Sequence, residues 1–279
     1  MKMPISFVQT SALVVALALA PAGVSAQPAK APAAAAAKVL RNVSYGPDAR
    51  QKFDVYQPAR PTGPVLLIVH GGGWSRGDKA DPRWVRDKVA HWGGLGYTVV
   101  SANYPLWPKA GPMEQAASVA MAMAKVQARA AEWGADPKRL VLVGEESGSH
   151  LAALITVVPT IAKQAGVQPW RATIGIDPAY MSLEEVMKAP HDKALDKVIG
   201  TTEAQWQALS PRHLVSDGPP PPPLMMWCYK QRANSCELAL HYERKAAKFK
   251  HQIVIWQRME SQDTHVKALD VWLAAMVKP

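Results

Sequence analysis

The chain has 279 residues, 48% of them hydrophobic, which suffices for one α/β domain whose sheet is buried on both faces. Lys+Arg number 32 against Asp+Glu 22, a net charge of +10, yet no basic run is interleaved with aromatics, so the charge reads as a diffuse solvated surface and argues against nucleic acid as a partner. The His and Cys residues show no metal-ligand spacing, so neither a metal nor another cofactor is expected.

In chain order, the first expected segment is an address. Lys2 supplies a positive n-region, Ala12 to Ala20 an apolar stretch too short to span a membrane, and Val24-Ser25-Ala26 a small-residue cleavage site. Residues 1–26 therefore read as a signal peptide and 27–37, almost all Ala and Pro, as a disordered tether. Residues 38–279 are the folded domain, exported to a periplasm or secreted, with no later stretch apolar enough for a membrane span.

Residues 39–45 and 51–56 read as strands around the turn Gly46-Pro47-Asp48, an antiparallel pair. The apolar run 64–69 is a buried strand that delivers His70-Gly71-Gly72-Gly73-Trp74 at its carboxyl end, where open α/β sheets place their ligands. Three glycines in succession cost backbone entropy, and Gly72 and Gly73 are candidates to aim two N–H donors at a developing oxyanion. A helix over 84–94, a strand over 97–102 and a long helix from Pro112 to Trp133, closed by Gly134, follow.

The chain then reaches its most informative stretch. Leu140 to Val143 is a short buried strand ending at Gly144, and Leu151, Leu154, Ile155 and Val158 recur at helical spacing directly afterwards. Gly144-Glu145-Glu146-Ser147-Gly148 is thus a sharp strand-to-helix turn with the geometry of a nucleophile elbow, and its central residue is Glu146 instead of serine.

Beyond it, 172–176 is a strand and 177–214 an irregular insert with short helical pieces, placed to cover a site; Tyr180 and Trp206, with Trp74, are candidate substrate contacts. Pro219 to Pro223 is a stiff spacer before a strand over 224–229, a helix over 236–249, a strand over 252–257 and a helix over 266–277. His265 falls in the loop between the last two elements. In an oxidising compartment Cys228 and Cys236 form a bridge closing nine residues, worth about 2 to 3 kcal/mol of chain entropy; the alternative is two buried thiols serving as small apolar groups.

The combination of Tyr45-Gly-Pro-Asp, Phe53-Asp-Val-Tyr56, His70-Gly-Gly-Gly-Trp, Gly77-Asp-Lys79, Asn103-Tyr104, Asp136-Pro-Lys-Arg139 and Gly148-Ser-His-Leu-Ala-Ala153 resembles the α/β-hydrolase superfamily. Within it the chain is similar to bacterial carboxylesterases with an HGGGW motif, hormone-sensitive-lipase-like and feruloyl-esterase-like. The resemblance implies an α/β-hydrolase fold, a mostly parallel central sheet with helices on both faces, acting by a Ser-His-Asp triad on a small ester-like or acyl molecule.

Carried over residue by residue, it implies His265 as the triad histidine, Asn234 at the acid position, and Gly72, Gly73 and the Ser147 N–H as oxyanion donors, with Glu146 at the nucleophile position. Four readings stay open. These are a degenerate esterase that binds without turnover; an enzyme using Glu146 as nucleophile through an alkyl-ester intermediate; one using Ser147; and a non-catalytic interaction module. Oligomeric state leaves no mark in the sequence.

Overall fold

The computed structural model describes residues 38–228, 234–257 and 262–278, so the expected signal peptide and tether lie outside the described residues. Two strands come first, β1 (Lys38–Ser44) and β2 (Lys52–Gln57), and strands then alternate with helices: β3 (Val65–Val69), α1 (Pro82–Gly94), β4 (Thr98–Ala102), α2 (Pro112–Arg129), β5 (Leu140–Glu145), α3 (Ser147–Val157), α4 (Pro159–Gln164) and β6 (Ala172–Ile176). Four short helices follow, α5 (Leu183–Lys188), α6 (Ala194–Ile199), α7 (Glu203–Leu209) and α8 (Pro211–Leu214). The chain ends with β7 (Leu224–Cys228), α9 (Ser235–Ala247), β8 (Ile253–Gln257) and α10 (Gln262–Met276).

The strands form one eight-stranded sheet ordered β1-β2-β4-β3-β5-β6-β7-β8. Pairing is antiparallel at β1–β2 and β2–β4 and parallel from β4 onward. Period-two alternation splits each central strand between two cores. Val65, Leu67 and Val69 of β3 join α2 and α3 on one face, while Leu66 and Ile68 join Val85 and Trp92 of α1 and Leu269 and Leu273 of α10 on the other. The continuous apolar runs in the sequence are the signature of this double burial.

Several boundaries differ from the sequence expectations for local reasons. α1 begins two residues early, because Pro82 suits the first helical position and the Asp81 carboxylate caps the Arg83 N–H at 3.0 Å. The long helix ends as an α-helix at Arg129 and tightens into a 3-10 turn, Ala130–Trp133, closed by Gly134 at φ 71°. β5 runs on through Gly144 and Glu145, which pair with Gly175 and Ile176 of β6. His265 is not in a loop: α10 starts at Gln262 and places it in the first turn, and its side chain lies outside the described residues.

Two features fix the catalytic end of the sheet. A methyl added to Gly144 would sit 2.7 Å from the Ser149 Cα, and one on Gly148 would sit 2.6 Å from the His70 carbonyl oxygen, so both must be glycine for α3 to lie this close to β3 and β5. Cys228, at the end of β7, is bridged to Cys236 in the first turn of α9.

Two outcomes are expected. Gly148→Ala costs about 3 kcal/mol by overpacking, read from its urea midpoint against wild type. Cys228→Ala with Cys236→Ala costs about 2 to 3 kcal/mol by the same measurement, and the native protein yields no alkylatable thiol.

Candidate active site

The elbow is built where β5 hands over to α3. The Glu146 N–H donates to the Ile176 carbonyl of β6 at 2.9 Å, while the Glu146 carbonyl accepts from Ser149 N–H at 3.0 Å and Ser149 Oγ at 2.6 Å. These bonds hold Glu146 at φ 54°, ψ −118°, a left-handed conformation that a non-glycine residue occupies only when its surroundings impose it. Strain of this kind throws the side chain out over the end of the sheet.

The glycine loop after β3 meets it there. Glu146 Oε2 accepts the Gly72 N–H at 2.9 Å, and the carboxylate lies so close over Gly71 that a Cβ on that residue would be 2.7 Å from the Glu146 Cβ. Gly72 and Gly73 both have positive φ, 119° and 61°, so the loop reaches this shape only with glycine. A charge-assisted bond from a backbone donor to a carboxylate is among the stronger hydrogen bonds available, and the first turn of α3 adds a favourable field.

The floor beneath is aromatic and tightly bonded. Trp74 is fully buried, its ring edge-on to His150 (centroids 5.2 Å) and tilted against Tyr180 (4.6 Å), with its carbonyl held by Gln115 Nε2 at 2.8 Å. Tyr104 stacks on His70 at 4.5 Å and donates its hydroxyl to the His70 carbonyl at 2.8 Å. Burial drives both His70 and His150 down to pKa about 4, against the raising effect of their backbone bonds to Gly71 and Leu209. Both rings are therefore neutral at pH 7, with structural bonds to carbonyl oxygens.

The expected site residues are brought together unevenly. Gly72 and Glu146 are in direct contact, and Gly73 sits in the same turn of loop. Ser147 is fully buried, its Oγ accepting from the Trp74 N–H at 3.4 Å and lying against the Tyr104 hydroxyl. Trp74, with no exposed surface, supports the loop from below, whereas Tyr180 and Trp206 are half-buried and Trp206 is tied by its indole N–H to the Gly200 carbonyl at 2.9 Å. Asn234 is exposed at the N-cap of α9 in a left-handed conformation, φ 69°.

Two neighbours of the elbow escaped the sequence reading. Asp177, the residue after β6, has φ 52° and is 8% exposed, and its N–H donates to the Trp227 carbonyl at 2.7 Å. Because Ile176 pairs with Glu145, Asp177 stands directly beside Glu146 at the strand ends. Glu145 is the other. Burial raises its carboxyl pKa, opposed by Lys88 at 2.6 Å and reinforced by the charges of Asp177 and Glu146. An acid immediately after a buried apolar run, as at Asp177, was the signal available in the sequence.

A family model described as BD-FAE matches residues 53–227, more than half of the chain, from within β2 to within β7. The chain belongs to the BD-FAE family. Curated relatives agree with this α/β-hydrolase carboxylesterase assignment. A carboxylesterase of Mycobacterium tuberculosis is 33% identical over 146 residues, 49% of this chain and 44% of the relative. A probable isoprenylcysteine alpha-carbonyl methylesterase of Oryza sativa subsp. japonica is 29% identical over 194 residues, 64% of this chain and 44% of the relative.

This BD-FAE chain thus spans less than half the length of the curated relatives it matches. Among solved structures, esterase B from Lactobacillus rhamnosis superposes with TM-score 0.72 at 18% identity, covering 89% of both chains. The apo form of esterase 2 from Thermogutta terrifontis gives 0.67 at 20%, covering 89% of this chain and 98% of its own. At these identities the likeness is one of fold.

The two buried imidazoles set a pH dependence. Unfolded histidine titrates near 6.5, and these titrate near 4 when folded, so below pH 6.5 the unfolded chain binds protons that the folded one refuses. Stability is expected to be complete above pH 6.5 and to fall as the pH drops toward 4. Urea midpoints between pH 7.5 and 4.5 measure it, and His150→Gln should flatten the slope.

Proposed function

We propose that this BD-FAE family member is an exported protein that binds a small ester-like or acyl molecule and whose serine-esterase chemistry is blocked at the elbow. The observation that carries the reading is the 2.9 Å bond from the Gly72 N–H to Glu146 Oε2. An oxyanion donor serves catalysis only if its bond strengthens as charge develops on the substrate. Here that donor already holds a full negative charge in the resting protein. Glu146 also has no hydroxyl proton for a histidine to remove, so the usual route to an activated nucleophile is absent.

The same bond weighs against Glu146 as a nucleophile, because it stabilises the resting carboxylate and so raises the barrier to attack. Ser147 is a poorer candidate still, since its hydroxyl is buried among Trp74 and Tyr104. Export is supported by the leader-like segment up to Ala26 and by the disulfide, which suits an oxidising compartment. Among the described residues no helix is long and apolar enough to cross a membrane.

Hydrolysis of short-chain nitrophenyl esters tests the block. Wild type is expected near the uncatalysed rate. Glu146→Ser frees the Gly72 donor and supplies a hydroxyl, raising turnover by about 10² to 10³, with His265 as base. Adding Asn234→Asp raises it further if that position orients the imidazole, whereas a loss of the gain on adding Asp177→Asn assigns the orienting role to the acid beside the elbow. Wild-type turnover abolished by Glu146→Gln and retained in Ser147→Ala would overturn the reading in favour of a carboxylate nucleophile. N-terminal sequencing of the exported protein should begin after Ala26.

A further inference from the structure

Away from the elbow, a hollow of about 640 Å³ opens between α5, α8 and the last turns of α9. Its walls carry Glu185, Arg212, His241, Arg244, Lys245 and Lys248, with the Phe249 ring as the apolar part. None of these residues belongs to the elbow or its glycine loop.

The charge inside is lopsided. Arg212, Arg244, Lys245 and Lys248 put four basic side chains on the lining, and Glu185 is its one carboxylate. Glu185 is already shared, meeting His241 Nδ1 at 2.7 Å and Arg212 Nη1 at 3.3 Å. Among the described residues no carboxylate comes within ion-pair reach of Arg244, Lys245 or Lys248. Lys245 instead donates to the His213 carbonyl at 3.0 Å, and the Arg212 Nε is buried without a hydrogen-bond partner. Burial, and then the charge of Arg212, lower the pKa of Lys245, opposed by the nearby carboxylate of Glu184.

A rival account exists for part of this cluster. Cations in the last turn of any helix offset its dipole, which covers Arg244 and Lys245 at the end of α9. It covers Arg212 poorly, because that residue sits in the last turn of α8, a helix of only four residues with few aligned peptides, and it does not cover the concave shape that brings the two helices' charges to one volume. A surface that merely solvates its lysines spreads them on convex ground, where each is screened separately.

We infer that this hollow binds a compact polyanion, a small molecule carrying two or more phosphate, sulfate or carboxylate groups close together. Arg212 and Arg244 offer planar forks to such groups, Lys245 and Lys248 point charges, and Phe249 a surface for the apolar part of the ligand. The inference does not depend on the state of the elbow, so it stands or falls separately from the proposed block on esterase chemistry.

Calorimetric titration of the purified full-length chain with tripolyphosphate, and in parallel with a trimer of galacturonic acid, tests it. Saturable binding of at least one probe near 1:1 is expected, weakening as salt is added; tripolyphosphate binding the tighter assigns phosphate esters, and the uronate trimer acidic sugars. Arg244→Ala with Lys248→Ala, both exposed and outside the core, should weaken it about tenfold or more at an unchanged melting temperature. Arg86→Ala on α1, a helix that contributes nothing to the lining, should leave the affinity unchanged. Absence of saturable binding by both probes, or equal losses in the double variant and in Arg86→Ala, would overturn the inference and leave only a diffuse basic surface.

Discussion

The close approach of Gly144 and Gly148 is the constraint on which the rest of the site rests. With any side chain at either position α3 would stand off from β3 and β5, because a Cβ at Gly148 would run into the His70 carbonyl and one at Gly144 into Ser149. Contact at this distance makes the turn between them tight, forces Glu146 into its left-handed conformation, and lays its carboxylate across Gly71 onto the Gly72 N–H. Backbone packing, more than the chemistry of any side chain, therefore decides where the central residue of the elbow points. That is why a glutamate can stand there without unmaking the turn.

Several of the motifs that carried the family resemblance do structural work beside the site, on the β2–β4 side of the sheet. Asp54 is fully buried, bonded to Lys79 Nζ at 2.7 Å, Arg41 Nη1 at 2.8 Å and the Asn42 N–H at 2.8 Å. Burial pushes its pKa up, but these partners outweigh it and hold the carboxyl below its usual range. Asn103 joins in, accepting the Lys79 N–H at 2.6 Å and donating to Asp78 at 2.8 Å. Phe53-Asp-Val-Tyr56, Gly77-Asp-Lys79 and Asn103-Tyr104 thus tie the first hairpin to the segment that follows the glycine loop. A buried ion pair of this kind is costly to break by halves, since removing one partner strands the other's charge. Such a network persists whatever becomes of the nucleophile, and so family membership and reaction can part company.

The fold was legible because its signals were strong and local: uninterrupted apolar runs for strands buried on both faces, and glycine, proline and aspartate at the element ends. The α/β alternation around one sheet followed from them, whereas the α/β-hydrolase architecture came from the resemblance of the motifs and the Cys228–Cys236 bridge from the expected oxidising compartment. What went astray depended on tertiary context. The last turn of the long helix tightened into a 3-10 turn to reach Gly134, and α10 began early enough to take His265 out of its expected loop. At the site, the sharp turn between β5 and α3 was legible, whereas the burial of Trp74 depends on the rings of His150 and Tyr180 packed against it, and the placing of Asp177 beside Glu146 on strand register, which one strand's sequence does not encode.

If the site binds as proposed, the carboxylate at the mouth of the glycine loop has a consequence for which ligands can enter. Glu146 is tethered to the place it occupies by its own short side chain, so the Gly72 N–H meets it at an effective concentration that no free carboxylate in solution approaches. Acetate and other small acids, which compete well for an empty oxyanion site, are outnumbered before they arrive. Only a ligand large enough to gain most of its affinity elsewhere can move the glutamate aside. On the proposed reading the carboxylate on the Gly72 N–H would thus give the site a size threshold, set by the chain itself.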